Sequence, residues 1–138
     1  MTNPNMITAQ AVPNSSRMQF LPKHFGLRLG LQFEAKVYVC ASLFFTNYSG
    51  GEWEFVELSN GGVLMRLSEA AGEQQPVKVS GNGFAELLSR DAAGALATHG
   101  ALLMMAESGI ERATELLYLL QDYIAQHPER SLLRAALD

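Results

Sequence analysis

The 138-residue chain has one cysteine, Cys40, which leaves it without an internal disulfide or a multi-cysteine zinc site. A single thiol fits a reducing compartment. No segment approaches the ~20 apolar residues that cross a bilayer, and the best uncharged run, Val37 to Asn47, is too short. The N-terminus has no basic stretch followed by an apolar one, so no signal peptide is expected and the expected location is the cytoplasm. Basic residues are also few, 10 Lys and Arg against 14 Asp and Glu, for a net charge of -4. They are scattered among the acids rather than massed as in a DNA-binding face, so direct DNA binding is not expected. A protein imitating DNA needs the opposite, a dense row of negative charge, because the duplex carries about one charge per 1.7 Å. A net of -4 is too dilute for that.

What is present is an ordinary globular composition, 48% apolar and 17% charged, sized for one domain with a sizeable core. The acids are unevenly placed. Residues 51–75 hold Glu52, Glu54, Glu57, Glu69 and Glu73 against Arg66 alone, which is the whole net charge of the chain. Residues 1–16, polar and with Pro4 and Pro13, read as a flexible arm, in which Met6-Ile7-Thr8-Ala9 could add an edge strand. Phe20, Leu21 and Phe25 read as anchors that pin the arm to a domain spanning 17–138.

Leu27, Leu29, Leu31 and Phe33 alternate, but Val37, Cys40, Ala41 and Phe44 recur at helical spacing, and one helix over about 29–46 is expected. Glu52–Leu58 and Gly62–Leu67 read as strands joined at Asn60-Gly61, a type I′ turn. Pro76–Ser80 reads as a third strand, followed by a turn at Gly81-Asn82-Gly83. Ser89 or Asp91 can cap a helix running to about Ser108. Ile110–Gln126 and a short helix with Pro128 at its first position follow, with Leu133 and Leu137 on a stripe that packs on the core or closes a two-fold dimer. The order gives an α+β fold, a single compact domain: an N-terminal helix, a three-stranded antiparallel meander and C-terminal helices packed on the sheet.

Catalytic patterns are sparse. Cys40 lies in apolar surroundings that suit a buried thiol rather than a reactive thiolate. His99 occupies a small-residue stretch, Ala95–Gly100, and reads as a core or interface histidine with one hydrogen bond. His24 and His127 read as loop and cap residues. No paired-histidine spacing occurs, and no metal or cofactor is expected. Gly81-Asn82-Gly83-Phe84 begins like a dinucleotide-binding loop, but Glu86 stands where its third glycine belongs. Glu52 and Glu54 share one strand face and Trp53 and Phe55 the other, the aromatic pair reading as core. The glutamate side reads either as solvated surface or as a protein-binding face.

Read together, these segments resemble the ArdB/KlcA family of antirestriction proteins. The matching text begins with Val12-Pro13, Arg17, Phe20-Leu21-Pro22 and Phe25-Gly26. It continues with Tyr48, Gly50-Gly51, Trp53-Glu54-Phe55, Leu58, Asn60-Gly61-Gly62 and Met65-Arg66. Gly81-Asn82-Gly83-Phe84, Leu88-Ser89 and Asp91-Ala92-Ala93-Gly94 close it, over roughly residues 11–128. Val63 and Leu67 depart from the pattern, standing where an aromatic and a proline are expected.

The resemblance implies a compact α+β protein of bacterial plasmids and other mobile elements. It would protect incoming unmodified DNA by inhibiting the host's type I restriction-modification systems. Together with the absence of a catalytic constellation and the local acidic face, this leads to the expectation of a non-enzyme that works by protein contact rather than DNA mimicry, its partner being the type I restriction complex or a host factor controlling it. The expected oligomeric state is a monomer or homodimer. The family carries no catalytic residues to transfer. Candidate partner-binding residues are Glu52, Glu54, Glu57, Arg66, Glu69, Glu73 and Asn82, with Glu54 and Arg66 paired across the hairpin in a structural or interfacial role. The alternative is a small hydrolase or transferase with a pocket near His99 and the 81–84 turn.

Overall fold

Gly26 is where the first helical stretch divides. Its φ of 77° ends α1 (Arg17–Phe25) and sets the angle at which α2 (Leu27–Phe44) departs. In the computed structural model, which describes residues 6–138, the expected helix over 29–46 thus begins two residues earlier and is preceded by a further helix. The alternation from Phe25 to Phe33 is a coincidence of leucine-rich text. Pro22 inside α1 masks the helical spacing of Phe20 and Phe25, which are both buried.

The arm expected over residues 1–16 is tied down where it is described, and its first five residues lie outside the described residues. Ala9–Ala11 form β1 and pair antiparallel with β2 (Trp53–Leu58), which pairs in turn with β3 (Val63–Leu67). The three-stranded antiparallel sheet is therefore present, but its third strand comes from the arm. The expected third strand lies instead in β4 (Gln74–Val79), which pairs with an unexpected β5 (Phe84–Ser89) as a separate two-stranded sheet. A short 3-10 turn at Glu69–Ala71 followed by Gly72, φ 93°, redirects the chain between the two sheets.

Both hairpin tips use an asparagine in the same way. Asn60 does not take positive φ, so the turn is not type I′; Gly61, at φ 93°, carries the left-handed position after a turn closed by its N–H on the Leu58 carbonyl. The Asn60 side chain accepts from the Gly62 N–H (2.9 Å) and donates to the Leu119 carbonyl (2.9 Å). At the second tip Asn82 accepts from the Phe84 N–H (3.0 Å) and donates to the Ala135 and Ala136 carbonyls (3.2 and 3.0 Å). Each tip is thus stapled to a helix, the first to α4 (Glu111–Ala125) and the second to α5 (Arg130–Leu137). Replacing Asn82 by alanine removes the staple and should cost about 1–2 kcal/mol in urea unfolding; an unchanged midpoint would show that α5 docks without it.

At the centre lies α3 (Arg90–Glu107), capped by the Ser89 hydroxyl, which accepts from the Ala92 N–H. Residues 92–99 are all buried, six of these eight being alanine or glycine or threonine. This stretch runs along the outer edge of β3. Gly94 is in such close contact that a Cβ there would stand 2.4 Å from the Met65 carbonyl oxygen. One turn on, the Thr98 hydroxyl accepts from the Met65 N–H (3.0 Å) and donates to the Met65 carbonyl (3.3 Å), occupying backbone groups that the sheet leaves unpaired. On the other side of α3 a Cβ at Gly100 would meet the Cys40 sulfur of α2 at 2.8 Å.

Trp53 and Phe55 are buried as expected. Phe55 stacks on Phe20 of α1 at 4.5 Å, and Trp53 contacts Tyr38 of α2 at 5.7 Å. Leu133 is buried and Leu137 partly exposed, so the α5 stripe packs mainly on the core. Pro128 lies ahead of α5 rather than at its first position.

Candidate functional site

Glu54 and Arg66 face each other across the β2–β3 register. Their side chains meet, the Arg66 Nε and Nη2 donating to one Glu54 oxygen at 3.3 and 3.2 Å. The pair is part of a larger cluster built where the sheet meets the start of α3. Arg90 donates to the other Glu54 oxygen (2.8 Å) and to the Leu67 carbonyl (2.9 Å). Asp91, in the first turn of α3, accepts from Arg66 at 2.6 Å through one oxygen. Its second oxygen accepts from the Tyr123 hydroxyl (2.7 Å) and from His127 Nε2 (2.9 Å). Ser89 joins the rim by donating its N–H (2.8 Å) and its hydroxyl to the Glu129 carboxylate.

Burial alone would raise the Asp91 carboxyl. Hydrogen bonds from His127, Tyr123 and Arg66 outweigh that and hold it at about 2. Burial, with the Asp91 charge beside it, pushes the Tyr123 phenol up. Burial disfavours the Arg66 cation, but Asp91 and Glu54 over-compensate, and its pKa rises. All four carboxylate oxygens of Glu54 and Asp91 accept hydrogen bonds from this chain. His127 is committed at both ring nitrogens: Nδ1 accepts the Glu129 N–H at 3.0 Å while Nε2 faces Asp91. An imidazole held this way has no lone pair left to take a substrate proton. The cluster joins β2, β3, α3, α4 and the connection into α5.

The candidate acids do not form one face. Glu57 points to the opposite side of the sheet from Glu54 and accepts from Lys23 (2.8 Å) and His24 (2.6 Å) of α1. Hydrogen bonds from Lys23 and His24 lower its carboxyl pKa. His24 is itself lowered, its burial outweighing the attraction of Glu57. Glu52, Glu69 and Glu73 are exposed, and Asn82 staples the second hairpin to α5. Two of the five glutamates that carry the local charge are thus compensated by cations, some drawn from other parts of the chain.

The hub of the cluster, Asp91, stands in the family text and has the sequence signature of a helix cap, and His127 that of a cap residue; neither signature points to a cluster. Tyr123 and Arg90 give no periodic signal in the sequence. His99 is buried and sits 3.3 Å from the Gln121 side-chain nitrogen, as a core histidine with one hydrogen bond. It borders a concavity of about 360 Å³ that also touches Gly81 and Asn82, with mainly apolar walls from Phe44, Leu96 and Leu103. Burial pushes the Cys40 thiol up, which keeps it protonated. Among the described residues no group of His, Cys, Asp and Glu is arranged to hold a metal ion, and no helix is long and apolar enough to cross a membrane.

Comparison with known proteins follows the same lines. A family model described as antirestriction protein matches residues 46–138. Two Escherichia coli proteins named antirestriction protein KlcA are 36% and 37% identical to this chain. The first match spans 99% of both chains, the second 98% of this chain and 96% of the relative. The putative antirestriction protein YubI of Escherichia coli K12 is 34% identical over 92% of this chain and 93% of its own length. A solved structure covers 100% of this chain and 99% of its own, with a TM-score of 0.85 at 34% identity. It comes from work on KlcA and ArdB, proteins said to show a novel fold and antirestriction activity against type I DNA restriction systems in vivo but not in vitro. The resemblance noted over residues 11–128 thus extends through the whole chain.

Proposed function

The chain belongs to the antirestriction protein family, and from that premise we propose that it relieves type I restriction of incoming unmodified DNA in the bacterial cytoplasm, by contact with protein. The observation that carries this reading is the full-length likeness to KlcA, in sequence and in structure alike. Activity of the relatives in vivo but not in vitro supports a partner supplied by the cell, either the restriction complex in its working state or a host factor that controls it.

A non-catalytic role is supported by the engagement of the groups that could do chemistry. His127 is committed at both nitrogens, Glu54 and Asp91 are saturated by cations and donors, and Cys40 is buried. A steering role is left to the exposed Glu52, Glu69 and Glu73, because complementary charge chiefly raises the rate of association. The test challenges cells that carry a type I system with unmodified phage, with and without the protein. Protection of several orders in plating efficiency is expected, and equal restriction in both would end the reading. Neutralising Glu52, Glu69 and Glu73 together should weaken protection severalfold at limiting expression; unchanged protection there would leave these residues as solvated surface.

The hydrolase or transferase alternative draws on one observation, the concavity beside His99. A His99→Ala variant that folds and still protects fully would exclude it.

A further inference from the structure

Two residues of α1 that the family text contains lie off its buried face. Phe20 and Phe25 are buried, and His24 holds Glu57. Arg17 and Pro22, from the same stretch, point elsewhere. They border a groove of about 310 Å³ between α1 and α2, whose walls include Met18, Leu21, Leu27 and Leu31. Met18 is 89% exposed, Leu27 69% and Leu31 57%. Scattered exposed leucines need no explanation, but a contiguous apolar groove with a polar rim marks an interaction site.

The rim says what kind of occupant suits it. The Arg17 guanidinium lies 4.5 Å above the centre of the buried Phe55 ring. That contact fixes its position without using its N–H donors, and no carboxylate of the described residues lies within salt-bridge distance of it. Every other arginine near the sheet is committed: Arg66 and Arg90 to Glu54, and Arg112 to the His24 carbonyl. A held guanidinium with open donors is arranged to receive a carboxylate, in bidentate geometry. The other charge on the groove, Glu34, lies near Tyr38, where burial and the Glu34 charge push the phenol up. It disfavours a second acid beside the first.

We propose that the α1–α2 groove is the docking surface for a segment of a partner protein that seats an apolar side chain against Met18, Leu27 and Leu31 and one carboxylate on Arg17. The inference rests on the antirestriction reading and assigns its contact surface. Association follows the usual division of labour: an apolar anchor excludes water and an arginine at its border fixes register.

The test has two arms. Arg17→Glu and Leu31→Glu are placed in the groove, and Leu43→Glu, 68% exposed at the far end of α2, serves as control. All three are checked by circular dichroism and thermal melting, because Leu31 and Leu43 are exposed while Arg17 is half-buried against Phe55. Protection in the phage assay should fall at least tenfold for the folded groove variants and stay at the wild-type level for the control. Full protection by either folded groove variant would overturn the proposal. In the second arm, benzoylphenylalanine placed at Met18 is photoactivated in cells that carry the type I system. The expected product is an adduct to a different protein, lost when Arg17→Glu is added. Its linked peptide, read by mass spectrometry, should carry an Asp or Glu beside an apolar residue. An adduct at twice 15.1 kDa would mean that a second copy fills the groove, and would overturn the proposal, as would no adduct. If the wild-type protein gives no protection, the functional reading fails, while the crosslink still decides what the groove binds.

Discussion

Replacing Asp91 by alanine should lower the free energy of unfolding by about 3–5 kcal/mol and the melting temperature by about 10 °C or more. The carboxylate accepts from Arg66, Tyr123 and His127, which come from β3, α4 and the connection into α5. Truncation leaves three donors facing a cavity, one of them on a cation only 17% exposed. The size of the effect comes from those stranded partners rather than from the net worth of the contacts. Its pH signature follows from the carboxyl being held at about 2 against an ordinary 3.8. A depressed acid stabilises the fold above its unfolded value, and that stabilisation, about 2 kcal/mol, drains away as pH falls from about 4 to about 2. Denaturant unfolding from pH 6 down to pH 2 should therefore show the gap between wild type and variant narrowing by about 2 kcal/mol at the acid end. A constant gap would mean that the loss is one of packing rather than charge.

Gly94→Ala should be at least as damaging, through a different cause. The added methyl would stand 2.4 Å from the Met65 carbonyl oxygen, 2.5 Å from the Arg66 Cβ and 2.8 Å from the Arg66 Cα. Two of those atoms belong to the β3 backbone, so relief requires the helix and the strand to separate. Separation breaks the Thr98 hydrogen bonds to Met65 and disturbs the Arg66–Asp91 pair together. A loss of about 3 kcal/mol or more is expected, at the upper end of overpacking costs, or failure to fold. Gly100→Ala supplies the comparison. It meets the Cys40 sulfur at 2.8 Å, a side-chain atom that can shift, and alanine suits a helix interior better than glycine. It should cost about 1 kcal/mol or less. Equal melting temperatures for the two variants would show that helix and strand are not in the rigid contact described.

The α+β class, the first hairpin and the three C-terminal helices are legible in the residues, because Asn-Gly and Ser-x-x signals and a 3.6-residue period act locally. The partition into two sheets is not. An edge strand in the arm is legible near Met6–Ala9, but β1 forms further along, at Ala9–Ala11, where Leu58, Glu57 and Val56 offer it an edge. β5 hides because Leu87 and Leu88 are adjacent, one exposed and one buried, so its pattern reads as neither strand nor helix. The Glu54–Arg66 pair could be counted across the turn, since register is arithmetic once a hairpin is recognised. Its continuation to Asp91 and His127 could not, because those residues lie 25 and more positions downstream and meet only through the packing of α3. Much of the family text is now accounted for by fold: two asparagine staples, one close helix–strand contact and one ion-pair cluster. Arg17 stands out because none of these uses it.

The hydroxyl of Thr98 on Met65 bears on how the protein behaves in a crowded cell. An exposed strand edge is a template on which another chain can add, and natural proteins cover or shorten such edges. Here one edge of the main sheet is β1, only three residues long, and the other is β3, lined by α3 with Thr98 satisfying both backbone groups of Met65. The main sheet therefore offers an incoming strand little to pair with at either edge.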